Sequence, residues 1–403
     1  MKIAIATRPR LSMADVDTSR LRIAVLSRRF ERHLGGAENY AVSLVEQLSR
    51  RHDITVFCKS HGKPLPGVHY QVMGWGLQRP RWLDQWLFAL WSWWHTRHGF
   101  DVVHSHENVF HGQVQTVHVK PVVHNLFAHR HGWRKWWKVL QVATSPRLLA
   151  YVGLEHLRMR RDAHRVIVAA SHALAEVLPQ HFHWWPGQLQ VLTPGVRMPE
   201  MLDAPAQMRV RAQARDSLGL PASATLLLMI GHDFRKKGLG ALLQALPLLP
   251  ADVHLAVVGQ PAQIPAWQPL VEQAGLQARV HFLGVLQDTR IAYDACDMLV
   301  HATLEDTFGM VTLEAMAHQL PLLVSRAPYC LSSAHLQDGD QALLLQDPTS
   351  GKEIAHGVTR ICSDASLRNR LITHGLTYAR QFAWDTLAPQ QEALYRLAIK
   401  GVA

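Results

Sequence analysis

At 403 residues the chain exceeds what one hydrophobic core comfortably serves, so two domains of similar size are expected. Its 48% apolar content, free of low-complexity tracts, excludes a disordered or fibrous protein. A net charge of +11 points to a polyanionic partner, for which nucleic acid, anionic lipid and phosphorylated glycolipid all qualify.

Residues 1–20 read as an irregular extension, with Met13 an alternative start, and the apolar patch 3–6 is too short for a signal-peptide core. The run 21–27 (LRIAVLS) reads as a first strand. The loop RRFERHLGGAENY then leads into a helix over 37–50. Gly35 and Gly36 before that helix permit close backbone approach to a ligand, although a plain turn into the helix asks for the same pair. Residues 53–58 (DITVFC) form a second strand, and 100–105 and 114–118 two more short ones. Between them, 81–96 is a tryptophan-rich amphipathic helix. Its apolar part, 82–94, carries Asp84 and Gln85 and falls short of the roughly 20 residues needed to span a bilayer. Strands and helices alternating at this spacing predict a parallel, doubly wound sheet.

The stretch GWRKWWKV sets Trp133, Trp136 and Trp137 at helical spacing with Arg134, Lys135 and Lys138 alongside. It reads either as an amphipathic helix packed on its own domain or as a membrane-contacting surface. Ten Lys and Arg lie between Lys120 and Arg165 against only Glu155 and Asp162, and nine of the 13 tryptophans lie between Trp75 and Trp137. Basic residues interleaved with indoles suit a bilayer interface. A basic helix continues over 155–165, a strand follows at 166–170, and Ser171 is placed to cap the next helix. After LQVLTPGV (189–196) comes a polar, alanine-rich linker over 197–220. A second alternating series then places strands at 225–230, 253–258, 280–283, 298–301, 322–325 and 342–345, with helices between, notably 239–249 and 287–295. A last helix follows FAWD at 382–385.

Three stretches carry candidate chemistry. In LVHATLEDTFGMVTLEAMAHQLPLLVS, a buried strand, a loop with one glycine and a helix succeed one another. The unpartnered amides and positive dipole end of such a helix suit an anionic group. Asp306 and Glu314, eight residues apart, are double acceptors for vicinal hydroxyls, so phosphates on amides and hydroxyls on carboxylates suggest a nucleotide-sugar. The plain alternative is an ordinary strand, loop and helix with solvated carboxylates. In GHDFRKKG, Arg235, Lys236 and Lys237 follow a strand, where cations would stabilise a leaving diphosphate, or else form a solvated turn. His118 ends a strand, with His104, His106 and His111 as rivals. The cysteines Cys58, Cys296, Cys330 and Cys362 form no C-x-x-C, which fits reduced, buried thiols in a cytoplasmic protein. The D-x-D pairs at Asp15/Asp17 and Asp338/Asp340 lie in the extension and in a D-G turn, and His129 and His131 lack cysteine partners, so no metal site is expected.

The segment DTFGMVTLEAMAHQLPLLVS resembles the E-x7-E region of the retaining GT-B glycosyltransferases of family four. Asp306 stands where that family has its first acidic residue, and Glu305 falls one position early. The resemblance covers most of the chain and is strongest over 231–325. It implies an α/β GT-B fold of two facing Rossmann-like domains with a cleft between them. Residues 21–196 would bind the acceptor and 221–382 the nucleotide-sugar, with 383–403 crossing back to the first domain. The implied reaction moves a hexose from a UDP-sugar, UDP-glucose favoured, to a lipopolysaccharide inner-core acceptor with retained configuration and no metal or cofactor. The implied place is the cytoplasm, peripheral to the inner face of the cytoplasmic membrane. The resemblance puts His118 against the donor sugar and Lys237 at the diphosphate, with Arg235 or Lys236 as the second charge. Gly35 and Gly36 would face the cleft, and Phe308, Gly309, Met310, Val311 and Glu314 would hold the nucleotide-sugar. The backbone at 282–285, ending in Val285, would meet the uracil. Two rivals stay open: a related enzyme of capsule, O-antigen or other glycolipid assembly with another donor, and a non-catalytic polyanion binder. Tryptophans placed in helices rather than on a sheet face argue against nucleic acid as partner.

Overall fold

The computed structural model of the chain describes residues 19–32, 36–77, 79–128, 130, 132–306 and 309–402. Seven parallel strands build a first sheet: β1 (Arg22–Leu26), β2 (Asp53–Cys58), β3 (Val68–Val72), β4 (Val102–Ser105), β5 (Val114–Val117), β6 (Val166–Ala169) and β7 (Leu189–Val191). Their order is β3-β2-β1-β4-β5-β6-β7. Six more build a second: β8 (Thr225–Ile230), β9 (Val253–Val258), β10 (Val280–Gly284), β11 (Met298–His301), β12 (Leu322–Ser325) and β13 (Leu343–Leu345), ordered β10-β9-β8-β11-β12-β13. Each sheet grows outward from its first strand and then reverses, so the first and fourth strands are neighbours. A crevice opens beyond their carboxyl ends, which is where open α/β sheets bind ligands.

Both faces of these strands are apolar because both are covered. On one face of the first sheet, Ile23, Val25, Ile54 and Val56 meet Leu44 and Leu48 of α1 (Gly36–Leu48). On the other, Ala24, Leu26 and Phe57 meet Phe88 of α2 (Arg81–Thr96). Helix α3 (Trp133–Thr144) lies further out, and α4 (Pro146–Arg158) adds Leu154 to the α2 side. Each such Leu or Phe contributes about 1.5–3 kcal/mol on burial.

The segment 197–220, expected as a linker, contains the helix α5 (Ala204–Ser217). It is anchored to the second unit by Arg215, whose buried guanidinium donates to the carbonyls of Ala222, Ala224 and Ala295 and to Asp297. A helix held by a buried cation shows no apolar stripe, which is why its sequence reads as linker. In the second sheet, α6 (Met310–Ala317) covers the face carrying Leu226, Leu228 and Leu299. The last helix, α7 (Trp384–Lys400), returns to the first sheet, where Leu387, Tyr395 and Ala398 join the α1 side. The basic helix expected over 155–165 ends at Arg158 instead. Cys58, Cys296 and Cys330 are buried, whereas Cys362 is exposed. Among the described residues no helix is long and apolar enough to cross a membrane.

Candidate functional site

At each sheet's point of reversal a charged pair ties the two loops that leave it. In the first sheet Arg28, after β1, meets Glu107, after β4: its amide donates to Oε1 at 2.9 Å and its Nε to Oε2 at 3.0 Å. In the second, Lys237, after β8, meets Asp306, after β11.

The loop 231–238 lies flat on the end of β11 because Gly238 is left-handed (φ 83°) and a Cβ there would collide with the Ala302 carbonyl. The Leu304 amide then donates to the Lys236 carbonyl at 2.7 Å. This clamp brings the two candidate segments together. The Lys237 and Asp306 side chains are only 20% and 15% exposed, so their attraction is weakly screened. The adjacent pair Lys236–Glu305, 2.7 Å apart, is open to water, with Glu305 72% exposed, so solvent screens it.

Both oxygens of Asp306 are engaged. Oδ2 meets Lys237 and, at 3.0 Å, Nε2 of His301, while Oδ1 accepts the Gly309 amide at 2.8 Å. Burial opposes ionisation of this carboxyl, but the hydrogen bond from His301 and the charges around it win, and its pKa is held well below the usual range. Asp306, read from sequence as an acceptor for hydroxyls, holds Lys237, His301 and the Gly309 amide with its two oxygens. Gly309, left-handed at φ 61°, turns the chain into that helix. Its amide is taken by Asp306, and the first helical amides, of Met310 and Val311, have no backbone partner among the described residues.

Glu314 lies one turn further on. The Tyr293 hydroxyl donates to its Oε2 at 2.6 Å, and its other oxygen has no partner among the described residues. Burial raises its pKa, against the Tyr293 bond and the His318 charge. One carboxylate oxygen is thus fixed in place while the other stays available to a hydroxyl. Val285, exposed beyond the left-handed Gly284, makes no backbone hydrogen bond among the described residues, so its amide and carbonyl are open to a planar base. Arg235 is exposed and without an acidic partner among the described residues.

On the first sheet, His118 just beyond β5 meets His106, Nε2 to Nδ1 at 3.0 Å, and packs on Tyr40. Nε2 of His106 is buried and has no hydrogen-bond partner among the described residues. A lone pair tolerates that better than an N–H, which assigns the hydrogen to Nδ1 of His106. That hydrogen is donated to His118 Nε2, so His118 carries its own hydrogen on Nδ1. Burial first, then the Arg158 charge, lowers the His118 pKa to about 3, and the ring is neutral at pH 7. The loop beyond β5 faces the second sheet: the Lys120 charge acts on Glu305, and Arg197 lies 3.8 Å from Glu46.

Gly36 opens the 13-residue α1 with free space in front of it. Gly35, Phe308 and the side chain of Lys135 lie outside the described residues. Away from the loops, α3 presents Trp133, Trp136 and Trp137 at 73%, 77% and 69% exposure, and among its described side chains only Val142 is buried. These indoles are not packed on their own domain. Sequence reasoning missed His301 and Tyr293, the two residues that fix the candidate carboxylates. Twenty-six histidines hid the first, and nothing local to Tyr293 announces a bond made 21 residues away.

Comparison with known proteins gives the family and the fold. Residues 210–377 match the family model described as Glycosyl transferases group 1, and 34–198 match Glycosyltransferase Family 4. The D-inositol 3-phosphate glycosyltransferase of Stackebrandtia nassauensis is 30% identical over 325 residues, 74% of this chain and 70% of that protein. The lipopolysaccharide glucosyltransferase WaaG of Escherichia coli K12 is 26% identical over 204 residues, covering 50% of this chain and 54% of WaaG. The D-inositol 3-phosphate glycosyltransferase of Xylanimonas cellulosilytica is 28% identical over 62% of this chain, and the match spans 60% of its length. Among solved structures, WaaG superposes with a TM-score of 0.71 over 93% of this chain and 99% of that one, at 19% identity. Anabaena Alr3699/HepE in complex with UDP-glucose gives 0.69 over 94% and 100%, also at 19% identity. The fold is the two-domain GT-B arrangement.

Proposed function

Because the chain belongs to the glycosyl transferases of group 1, we propose that it moves a hexose from a UDP-sugar, UDP-glucose favoured, to a lipopolysaccharide inner-core acceptor, with retained configuration and without a metal. The observation that carries this reading is the Lys237–Asp306 pair, set at the reversal point of the second sheet beside the first turn of α6. A glycosidic bond to a diphosphate breaks with negative charge growing on the leaving group. A cation oriented by a buried carboxylate, with Arg235 and Lys236 nearby, stabilises that charge more in the transition state than in the ground state. The α6 amides add donors on the phosphate side, the open oxygen of Glu314 takes a ribose hydroxyl, and the Nδ1 hydrogen of His118 points to a sugar hydroxyl. The leaving phosphate itself takes the acceptor's proton, so no protein nucleophile is required. The name of the E. coli relative supports a lipopolysaccharide acceptor, and the UDP-glucose held by the Anabaena neighbour supports the donor.

The same reading makes α3 a contact with the anionic inner leaflet, where the glycolipid acceptor is tethered; its three exposed indoles support it. A second acceptor class, a phosphorylated polyol, is favoured by the name of the Stackebrandtia relative. Screening UDP-, GDP- and ADP-sugars by thermal shift and hydrolysis tests the donor. Stabilisation by UDP and turnover of UDP-glucose are expected, and a preference for a guanosine or adenosine donor would overturn that assignment.

A further inference from the structure

His301 ends the interior strand β11, paired with Val324 of β12, and its side chain is only 1% exposed. Its Nε2 lies 3.0 Å from Oδ2 of Asp306, the oxygen that also holds the Lys237 ammonium. A carboxylate only accepts, so the neutral ring carries its hydrogen on Nε2. Nδ1 is left with a lone pair and no hydrogen-bond partner among the described residues. Two donors thus share one oxygen, and the full positive charge on it comes from Lys237. The titratable groups next in line do not compete. Cys330, beside Asp306, is a thiol that burial keeps neutral, and Lys236 and Glu305 pair with each other in water.

Burial lowers the His301 pKa, Asp306 opposes that and Lys237 reinforces it, so the ring is neutral at pH 7. A diphosphate on the donor side offers Lys237 several charged oxygens in place of one shared oxygen. Once the ammonium turns to them, Asp306 keeps its buried charge, and His301 loses the cation that opposed its protonation. A buried carboxylate stripped of its cation is far less favourable than an imidazolium formed near neutral pH. The proton enters at Nδ1 and the Nε2 hydrogen stays on Oδ2. Charge balances, because one ammonium leaves the pair and one proton takes its place.

We propose that His301 is a positioning residue that takes up one proton when the nucleotide-sugar draws Lys237 away from Asp306, which keeps the carboxylate fixed ahead of α6 during transfer. This rests on Lys237 being the cation that meets the diphosphate. A ring more basic in the complex than in the free chain favours binding on the acid side. Above the free-chain value, which lies below 6.5, donor affinity falls by up to about tenfold per pH unit and levels off beyond the bound value.

Calorimetric titration of the full chain with UDP-glucose at about pH 7, in phosphate and in Tris, counts the protons exchanged, because the two buffers differ in heat of ionisation. Wild type is expected to take up about one proton per donor bound. His301→Gln retains an N–H for Asp306 but has no site for a proton. It is expected to bind the donor with uptake near zero and with a flatter pH dependence of affinity. Glu314, the other buried acid on the donor side, is common to both proteins and cancels in the difference. If His301→Gln does not fold, Lys237→Met takes its place: its His301 is protonated before the donor arrives, and uptake is lost there too. No uptake by wild type, or equal uptake by the variant, overturns the proposal and leaves the donor reading standing. Failure to bind UDP-, GDP- or ADP-glucose overturns both.

Discussion

Asp306 shows how far a residue's neighbours can change its reading. Its place in the acidic segment suggests a hydroxyl acceptor, yet its oxygens are spent on Lys237, His301 and the Gly309 amide. Removing it should therefore free Lys237 and open the loop ahead of α6. Asp306→Ala is expected to abolish transfer, and Glu305→Ala, which alters only a solvated pair, to leave most of it. The opposite ranking in a transfer assay would assign the role to Glu305. Lys237→Ala should lower kcat more than it weakens donor binding, because the charge it meets develops during cleavage. A change confined to KM would place Lys237 in ground-state binding. Glu314→Gln retains size but loses charge, and UDP should bind about 1.5–3 kcal/mol more weakly by calorimetry. Unchanged UDP affinity would remove Glu314 from the site. The candidate carboxylates and lysine were legible as residue types in a pattern. His301 and Tyr293, which hold them, were not, because those bonds form only once strand, helix and loop are packed.

At the scale of elements, three histidines gather at the carboxyl ends of β4 and β5: His106 hydrogen-bonds His118 and packs on His104, whose Nδ1 meets the Tyr395 hydroxyl of α7 at 2.8 Å. Burial first, then neighbouring positive charge, lowers His104 and His118 to about 3 and His106 well below its usual value. In the unfolded chain these rings titrate near 6.5, so between that pH and about 3 the unfolded state binds more protons. Their contribution to stability is complete above about pH 6.5 and is lost as pH falls toward 3. Urea midpoints should drop between pH 7 and pH 5, and His104→Asn should flatten that slope even if it lowers the midpoint at pH 7. An unchanged slope would contradict the buried neutral histidines. Elements of this kind, built from apolar runs covered on both faces, are visible in sequence. Helix α5 was not visible, because Arg215 rather than an apolar stripe holds it in place.

The whole molecule repeats one plan: two parallel sheets of matching strand order, each with a charged pair across its point of reversal. That plan was readable from the alternation of strands and helices on either side of residues 197–220. The contact of α7 with the first sheet could be read only through resemblance, since no local pattern tells a helix which domain to cover. The plan also leaves Trp133, Trp136 and Trp137 of α3 exposed, and we propose that these indoles and the basic residues beside them meet a bilayer. Each basic residue near an anionic surface contributes about 1 kcal/mol, screened beyond about 8 Å in physiological salt. Arg134→Glu/Lys135→Glu/Lys138→Glu should release the chain from anionic vesicles and leave donor hydrolysis intact. Wild type that ignores anionic vesicles at low salt would assign α3 to a protein partner.

We propose a UDP-hexose transferase whose leaving group is stabilised by Lys237 under the control of Asp306. Proton NMR of the anomeric signal during slow hydrolysis of UDP-glucose by the full chain tests it most directly. α-Glucose is expected to appear first, at a rate that Asp306→Ala abolishes and Glu305→Ala largely preserves. Initial release of β-glucose, or hydrolysis indifferent to Asp306, would contradict it.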